Sequence, residues 1–62
     1  MCLSTVYEEI DGQRSKICEY VSSVKAGENG IVLTDIMGRE ITVHGTLKSM
    51  DFIKNEIIVE GA

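Results

Sequence analysis

Aromatic and basic residues are both scarce in this sequence, and each shortage limits what the chain can bind. The aromatic side chains are Tyr7, Tyr20 and Phe52, and there is no tryptophan. They are too few and too scattered to form a platform on which nucleic-acid bases stack. The 6 Lys and Arg residues stand against 10 Asp and Glu residues, which gives a formal net charge of -4. Because phosphate backbones repel such a surface, tight nucleic-acid binding is disfavoured.

Long hydrophobic runs and prolines are also missing. The segment from Met1 to Ile10 lacks the basic start and apolar run of a secretory signal, and no apolar stretch approaches the length of a transmembrane helix. We therefore expect a cytoplasmic protein. Without linkers or repeats, residues 1–62 are expected to form one small β-barrel domain. A core of this size barely offsets chain entropy, so we also expect a homodimer.

Glycine-containing turns divide the chain into segments of strand length and predict an all-β fold. We expect strands over about 3–9, 14–26, 31–36, 39–44 and 56–60. Asp11-Gly12 is a strong hairpin signal, and Ser22-Ser23 predicts a bulge or bend that lets the long second strand serve both halves of a curled sheet. Residues 45–55 fit no regular pattern and are expected to form a short helical turn or irregular link. Five antiparallel strands closing into an SH3-like barrel would remove exposed edges.

Alternation of apolar and polar side chains predicts which residues fill this barrel. The predicted interior consists of Val6, Ile17, Val21, Val24, Ile31, Leu33, Ile41, Val43, Leu47, Phe52, Ile57 and Val59. Ile36, Met37 and Ile58 fall outside it and are candidates to contact a partner subunit.

The two cysteines, Cys2 and Cys18, are expected to be reduced thiols rather than a disulfide, because the chain carries no secretory signal. Cys2 is unusual because its sulfur lies one peptide bond from the amino terminus. The Met1 amine, the Cys2 amide nitrogen and the Cys2 sulfur are spaced so that one metal ion closes two fused five-membered chelate rings. The competing interpretation is an uninvolved residue at a chain end.

One chain by itself offers too few donors for an ordinary zinc site, since it has no C-x-x-C pair and a single histidine. Two chains meeting at their amino termini would place two sulfur and two nitrogen donors in one plane. Planar coordination by nitrogen and sulfur favours nickel(II) or copper(II), whereas zinc drifts to tetrahedral geometry. The metal ligands predicted from the sequence are therefore Cys2 and a backbone nitrogen of Met1 or Cys2.

The remaining polar candidates carry weaker signals. Cys18 is expected to pack as a small hydrophobe, and His44 is expected to face solvent, with a metal role only as a secondary donor. The acidic run Glu8, Glu9 and Asp11 is interpreted as a solvated edge. No catalytic triad spacing or phosphate-binding glycine loop is present, so we do not expect an enzyme.

The opening Met1-Cys2-Leu3, which leads directly into a strand, is shared with a known family. So are the apolar stretch at 17–24, the turn at 24–30 and the closing segment at 55–59. In these features the chain resembles the CooT family of small nickel-binding proteins. The resemblance implies a homodimer of SH3-like barrels that binds one nickel(II) ion per dimer through Cys2, with Met1 contributing a backbone nitrogen. It also implies a role in nickel delivery for carbon monoxide dehydrogenase maturation.

Two other functions remain open on the sequence alone. One is a metal-independent interaction module that recognises a protein through Ile36, Met37 or Ile58. The other is RNA binding, which has been assigned to related sequences but is disfavoured by the acidic charge and sparse aromatic residues.

Overall fold

The computed structural model describes residues 3–61, which form a curled sheet of six strands. The strands are β1 (Ser4–Ile10), β2 (Gln13–Gly27), β3 (Gly30–Asp35), β4 (Glu40–Val43), β5 (Gly45–Asp51) and β6 (Glu56–Gly61). Their order across the sheet is β4-β3-β2-β1-β6-β5. The predicted all-β fold is confirmed, but with six strands instead of five. The sheet is also not purely antiparallel, because β1 and β6 pair in parallel.

The long strand β2 joins the two halves of the sheet, as its sequence predicted. Its first part pairs with β1 as far as Val21, and its second part pairs with β3 from Val21 onward. Ser22 is an extra residue between the Val21 and Ser23 pairings, so the predicted bulge is confirmed. A further irregularity lies near Tyr20, whose φ of 57 is in the left-handed region. These bulges bend β2 and allow the sheet to curl.

The two edge strands of the sheet are consecutive in the chain. Only His44 separates β4, which pairs with β3, from β5, which pairs with β6. The chain bends at His44 and passes from one edge of the sheet to the other, and β3 and β5 come into contact. The sheet therefore folds back on itself around one core.

Residues 45–55 are predicted to be a short helical turn or irregular link, and this prediction is wrong for residues 45–51. They form β5 followed by a turn at 52–55. In the pairing with β6, Leu47 lies opposite Val59 and Ser49 opposite Ile58, so Lys48 is an extra, bulged residue. A bulge breaks the alternation by which a strand is recognised in a sequence, which explains the error.

The core lies inside the curl of the sheet and contains most of the predicted residues. The buried cluster consists of Val6, Val21, Ile31, Leu33, Val43, Ile57 and Val59, with Ile17, Cys18 and Val24 packed partly against it.

Four predictions about the core are wrong, three inclusions and one exclusion. Leu47 and Ile41 are each 39% exposed and Phe52 is 75% exposed. Leu47 lies next to the Lys48 bulge, Ile41 lies on the edge strand β4, and Phe52 lies in the turn at 52–55. Ile58 was placed outside the core and is buried, at 4% exposure. It belongs to β6, which has strand neighbours on both sides.

The β3–β4 turn is held by the carboxylate of Asp35. Its Oδ1 accepts hydrogen bonds from the backbone N–H groups of Met37 at 2.9 Å and Arg39 at 3.0 Å, and Arg39 Nε donates to Oδ2 at 2.8 Å. These donors lower the pKa of Asp35, with the Arg39 backbone hydrogen bond as the largest cause. The turn leaves Ile36 and Met37 exposed, as predicted.

The β5–β6 turn is held in a similar way by Asp51. Its Oδ1 accepts hydrogen bonds from the backbone N–H groups of Ile53 and Lys54, both at 3.0 Å. The backbone hydrogen bond from Lys54 is the main cause of the lowered pKa of Asp51. The segments D-I-M-G-R-E and D-F-I-K-N-E share an aspartate followed by two apolar residues. In both turns, the apolar pair projects from the sheet.

Candidate metal site at the amino terminus

The predicted metal ligands, Met1 and Cys2, lie outside the described residues. The surroundings of the site are therefore defined by the residues that follow them. Ser4 pairs with Val21 of β2, and the Thr5 N–H donates a hydrogen bond of 2.9 Å to the Asn55 carbonyl. These contacts fix the start of β1 between β2 and the β5–β6 turn.

A cleft of about 430 Å³ opens beside Ser4. One wall is the part of β2 that runs past the start of β1, and the other is formed by the end of β5 and the start of β6. This amino-terminal cleft is lined by Ser4, Val21, Ser22, Ser23, Val24, Met50, Phe52, Asn55 and Ile57. None of these side chains carries a charge, which is notable in a chain where 26% of residues are charged.

Cys18 lies in the sheet and packs against the core, as predicted. It is half-buried opposite Val6 of β1, and its sulfur donates a weak 3.7 Å hydrogen bond to the Glu19 carbonyl. Burial raises the pKa of the Cys18 thiol. Since the thiolate is the metal-binding form, this environment makes Cys18 a poor ligand at neutral pH. Within residues 3–61, no group of three or more His, Cys, Asp and Glu residues is arranged to hold a metal ion.

His44 is exposed, as predicted, at the bend between β4 and β5. Its Nδ1 lies 3.2 Å from the Asn29 carbonyl oxygen. The adjacent Gly45 pairs with Gly61, which lies against Ile10 at the far end of β1 from Ser4. Strand geometry puts these two ends about 20 Å apart. His44 therefore lies far from Ser4, where β1 begins.

Glu9 departs from the prediction that the acidic run is a solvated edge. It is only 8% exposed, and it accepts hydrogen bonds from Arg14 Nε at 2.8 Å and from Lys48 Nζ. The hydrogen bond from Arg14 is the largest cause of its lowered pKa. In the sequence, this cluster has only one signal that could have revealed it, which is the position of Arg14 across the Asp11-Gly12 hairpin. Lys48 is 39 residues away from Glu9 along the chain.

The curled six-stranded sheet, with β1 beginning at Ser4 beside an uncharged cleft, defines a small SH3-like protein. Residues 1–60 match the family described as CO dehydrogenase accessory protein CooT. The chain therefore belongs to the CooT family, as its resemblance indicated. This description names an accessory protein of an enzyme.

The fold also matches a solved structure. The chain is similar to the crystal structure of a protein from Carboxydothermus hydrogenoformans assigned to CooT, with a TM-score of 0.89 over 98% of both chains and 18% sequence identity. At this identity the similarity supports the fold alone. No curated protein sequence matches the chain significantly. No helix in residues 3–61 is long and apolar enough to cross a membrane.

Proposed function

We propose that this chain is a dimeric nickel(II) carrier or buffer for the maturation of a nickel enzyme such as carbon monoxide dehydrogenase. Two Cys2 thiolates and nearby backbone nitrogens, including that of Met1, hold one ion at the subunit interface. The observation that carries this proposal is the CooT family match over residues 1–60, which includes the cysteine at position two. The Cys2 position supports it independently, because it offers sulfur and nitrogen donors in chelating order.

The chemistry of these donors suits a cargo that must be released. Thiolate is a soft ligand, and a planar set of sulfur and nitrogen donors favours nickel(II). The nickel is cargo here, passed to a client protein. The ligands come from the amino-terminal segments of two subunits, so an accepting protein can replace the ligands of one subunit before those of the other. In each subunit, Ser4 and Thr5 anchor the start of β1 to the sheet. An accepting protein can therefore compete for the ion without unfolding the carrier.

Nickel titration of three proteins tests the role of Cys2. We expect a sulfur-to-nickel charge-transfer absorption band in the wild type that saturates at one ion per two chains. Cys18→Ser removes the other thiol and should leave this band unchanged. Cys2→Ser should abolish the band and lower nickel affinity at least about 100-fold, because metal binding at this site needs the thiolate. Equal binding by Cys2→Ser and the wild type would disprove the proposal.

A second candidate function is recognition of a protein partner without metal. It is favoured by the exposure of two apolar residues in the β3–β4 turn, Ile36 at 55% and Met37 at 76%. Native mass spectrometry of protein from nickel-supplemented cells separates the two candidates. Two chains with one nickel ion support the carrier, whereas metal-free protein that captures its partner equally well after Cys2→Ser supports the interaction module.

A further inference from the structure

We propose that the amino-terminal cleft and the apolar pair at its edge form the surface on which a second copy of this chain docks. The pair is Phe52, which also lines the cleft, and Ile53. The apolar pair of each copy seats against the cleft of the other around a two-fold axis. This inference rests on the proposed function, since a shared nickel ion requires Cys2 from both copies. It names the surface that brings those two residues together.

The shape of this surface suits self-association. A two-fold interface uses the same patch on both subunits, so the patch must contain both a projection and a hollow. Here the projection is Phe52 at 75% exposure and Ile53 at 95% exposure, next to a hollow of about 430 Å³. The projection is held in place, because Asp51 caps the turn and Thr5 hydrogen-bonds to Asn55. Little ordering of the turn would be needed on docking.

Charge also favours this surface for a second copy. Two chains that each carry a net charge of -4 repel one another, so they approach most easily through an uncharged face. No residue lining the cleft is charged, and the Asp51 carboxylate at its rim is already engaged by two N–H groups. A second exposed apolar group consists of Tyr20 and the β3–β4 turn. Tyr20 lines a hollow that also has charged side chains, including Glu19, Arg39 and Glu40.

The cleft is lined by a residue that closely follows the predicted metal ligands along the chain. Ser4 lines the cleft, and Cys2 is two residues away, within about 7 Å of extended chain. On the same side, β2 runs on past Val21, where its pairing with β1 ends. Within residues 3–61 no strand pairs with this edge of β2 over residues 22–26, and such edges are sites where other chains bind. Docking here places the start of β1 of both copies at the interface.

Sedimentation equilibrium of Ile53→Asp and Met37→Asp tests this surface. Both side chains are highly exposed, so both variants should keep the wild-type circular dichroism spectrum. Ile53→Asp puts a charge on the proposed interface and should raise the dimer dissociation constant about 30-fold or more. It should also abolish binding of one nickel ion per two chains. Met37→Asp adds the same charge to the other apolar turn and should dimerise like the wild type.

Two results would overturn the interface. One is a wild-type dissociation constant for Ile53→Asp, and the other is a wild type that remains monomeric when loaded with nickel. Nickel binding by the Cys2→Ser variant distinguishes failure of the proposed interface from failure of the nickel proposal. If the wild type binds nickel through Cys2 as a monomer, the interface is wrong and the metal ligand stands. If Cys2→Ser binds nickel as well as the wild type, the nickel proposal fails, and sedimentation still decides the interface.

Discussion

Glu9 holds a negative charge in a nearly buried position, where basic side chains from two strands neutralise it. Arg14 reaches it from β2 and Lys48 from β5, across the intervening strand β6. The Lys48 bulge is what makes this second contact, because Lys48 is the residue without a partner in the pairing of β5 with β6. Burial of an unpaired carboxylate is unfavourable, but these two partners compensate for it at Glu9. The resulting cluster links β1, β2 and β5.

Replacing Glu9 with Gln should lower the free energy of unfolding at pH 7. The folded-state pKa of Glu9 is lowered from 4.5, so its contribution is fully present above that value and is lost as the pH falls through the folded-state pKa. The difference between wild type and Glu9→Gln should therefore shrink on acidification below about pH 4.5. Urea unfolding between pH 7 and pH 3 measures it.

A matched control is Glu60→Gln, at the position that pairs with Glu9 on β6. Glu60 is exposed and makes none of the hydrogen bonds that hold Glu9. If the two variants showed the same pH dependence, net charge rather than the Arg14 and Lys48 contacts would explain the effect.

At the scale of the elements, the passage from β4 to β5 depends on Gly45. A Cβ atom at this position would collide with the Glu60 backbone carbonyl oxygen. Backbone in a paired strand cannot move aside easily, so Gly45→Ala should destabilise the fold by about 3 kcal/mol, the upper part of the range for overpacked sites.

Gly38→Ala provides the comparison for Gly45→Ala. Gly38 has a positive φ of 83 but open space around the position of a Cβ, so alanine there should cost only about 1 kcal/mol. Thermal unfolding of both variants, followed by circular dichroism, measures the difference. An equal loss at both positions would contradict a steric requirement at Gly45.

The elements were predictable where the side-chain alternation is regular. The hairpin at Asp11-Gly12, the bulge at Ser22 and the strands β3 and β4 follow from local residues. Strand β5 was not predictable by this means, because its Lys48 bulge interrupts the period. The parallel pairing of β1 with β6 was also missed, since it joins the two ends of the chain and has no local turn to signal it.

At the scale of the whole molecule, stability depends on a small core. Leu33 is 0% exposed, and Leu33→Ala should cost about 3 kcal/mol from lost burial and the remaining cavity. A domain of this length has a total stability of only about 3–9 kcal/mol. Leu33→Ala should therefore be only marginally folded in urea titrations at 25 °C.

Leu47→Ala tests the corrected core with the same chemical change. The alternation of the sequence put Leu47 inside, but it is 39% exposed. Its loss should cost clearly less than that of Leu33, at about 1 kcal/mol. Equal destabilisation by the two substitutions would contradict the assignment of Leu47 to the surface.

The hypothesis that Cys2 is a metal ligand comes from the sequence alone, and the reason is chemical. The thiol of Cys2 and the adjacent backbone nitrogens are neighbours along the chain, so their chelating order can be read without a fold. The cleft could not be predicted from the sequence, because Val24 of β2 and Phe52 after β5 come together only when the sheet curls. Its two walls are distant in sequence and meet in space.

The sequence by itself determined the all-β class, the turn positions, most of the core and the terminal position of Cys2, because each depends on local geometry or on neighbouring atoms. Tertiary structure alone decided the burial of Glu9 and Ile58, the exposure of Leu47 and Phe52, and the uncharged cleft beside Ser4. The physical reason is that burial depends on which strands lie on either side of a residue. That neighbourhood is set by the long-range pairing of β1 with β6 and by the pairing of β6 with β5.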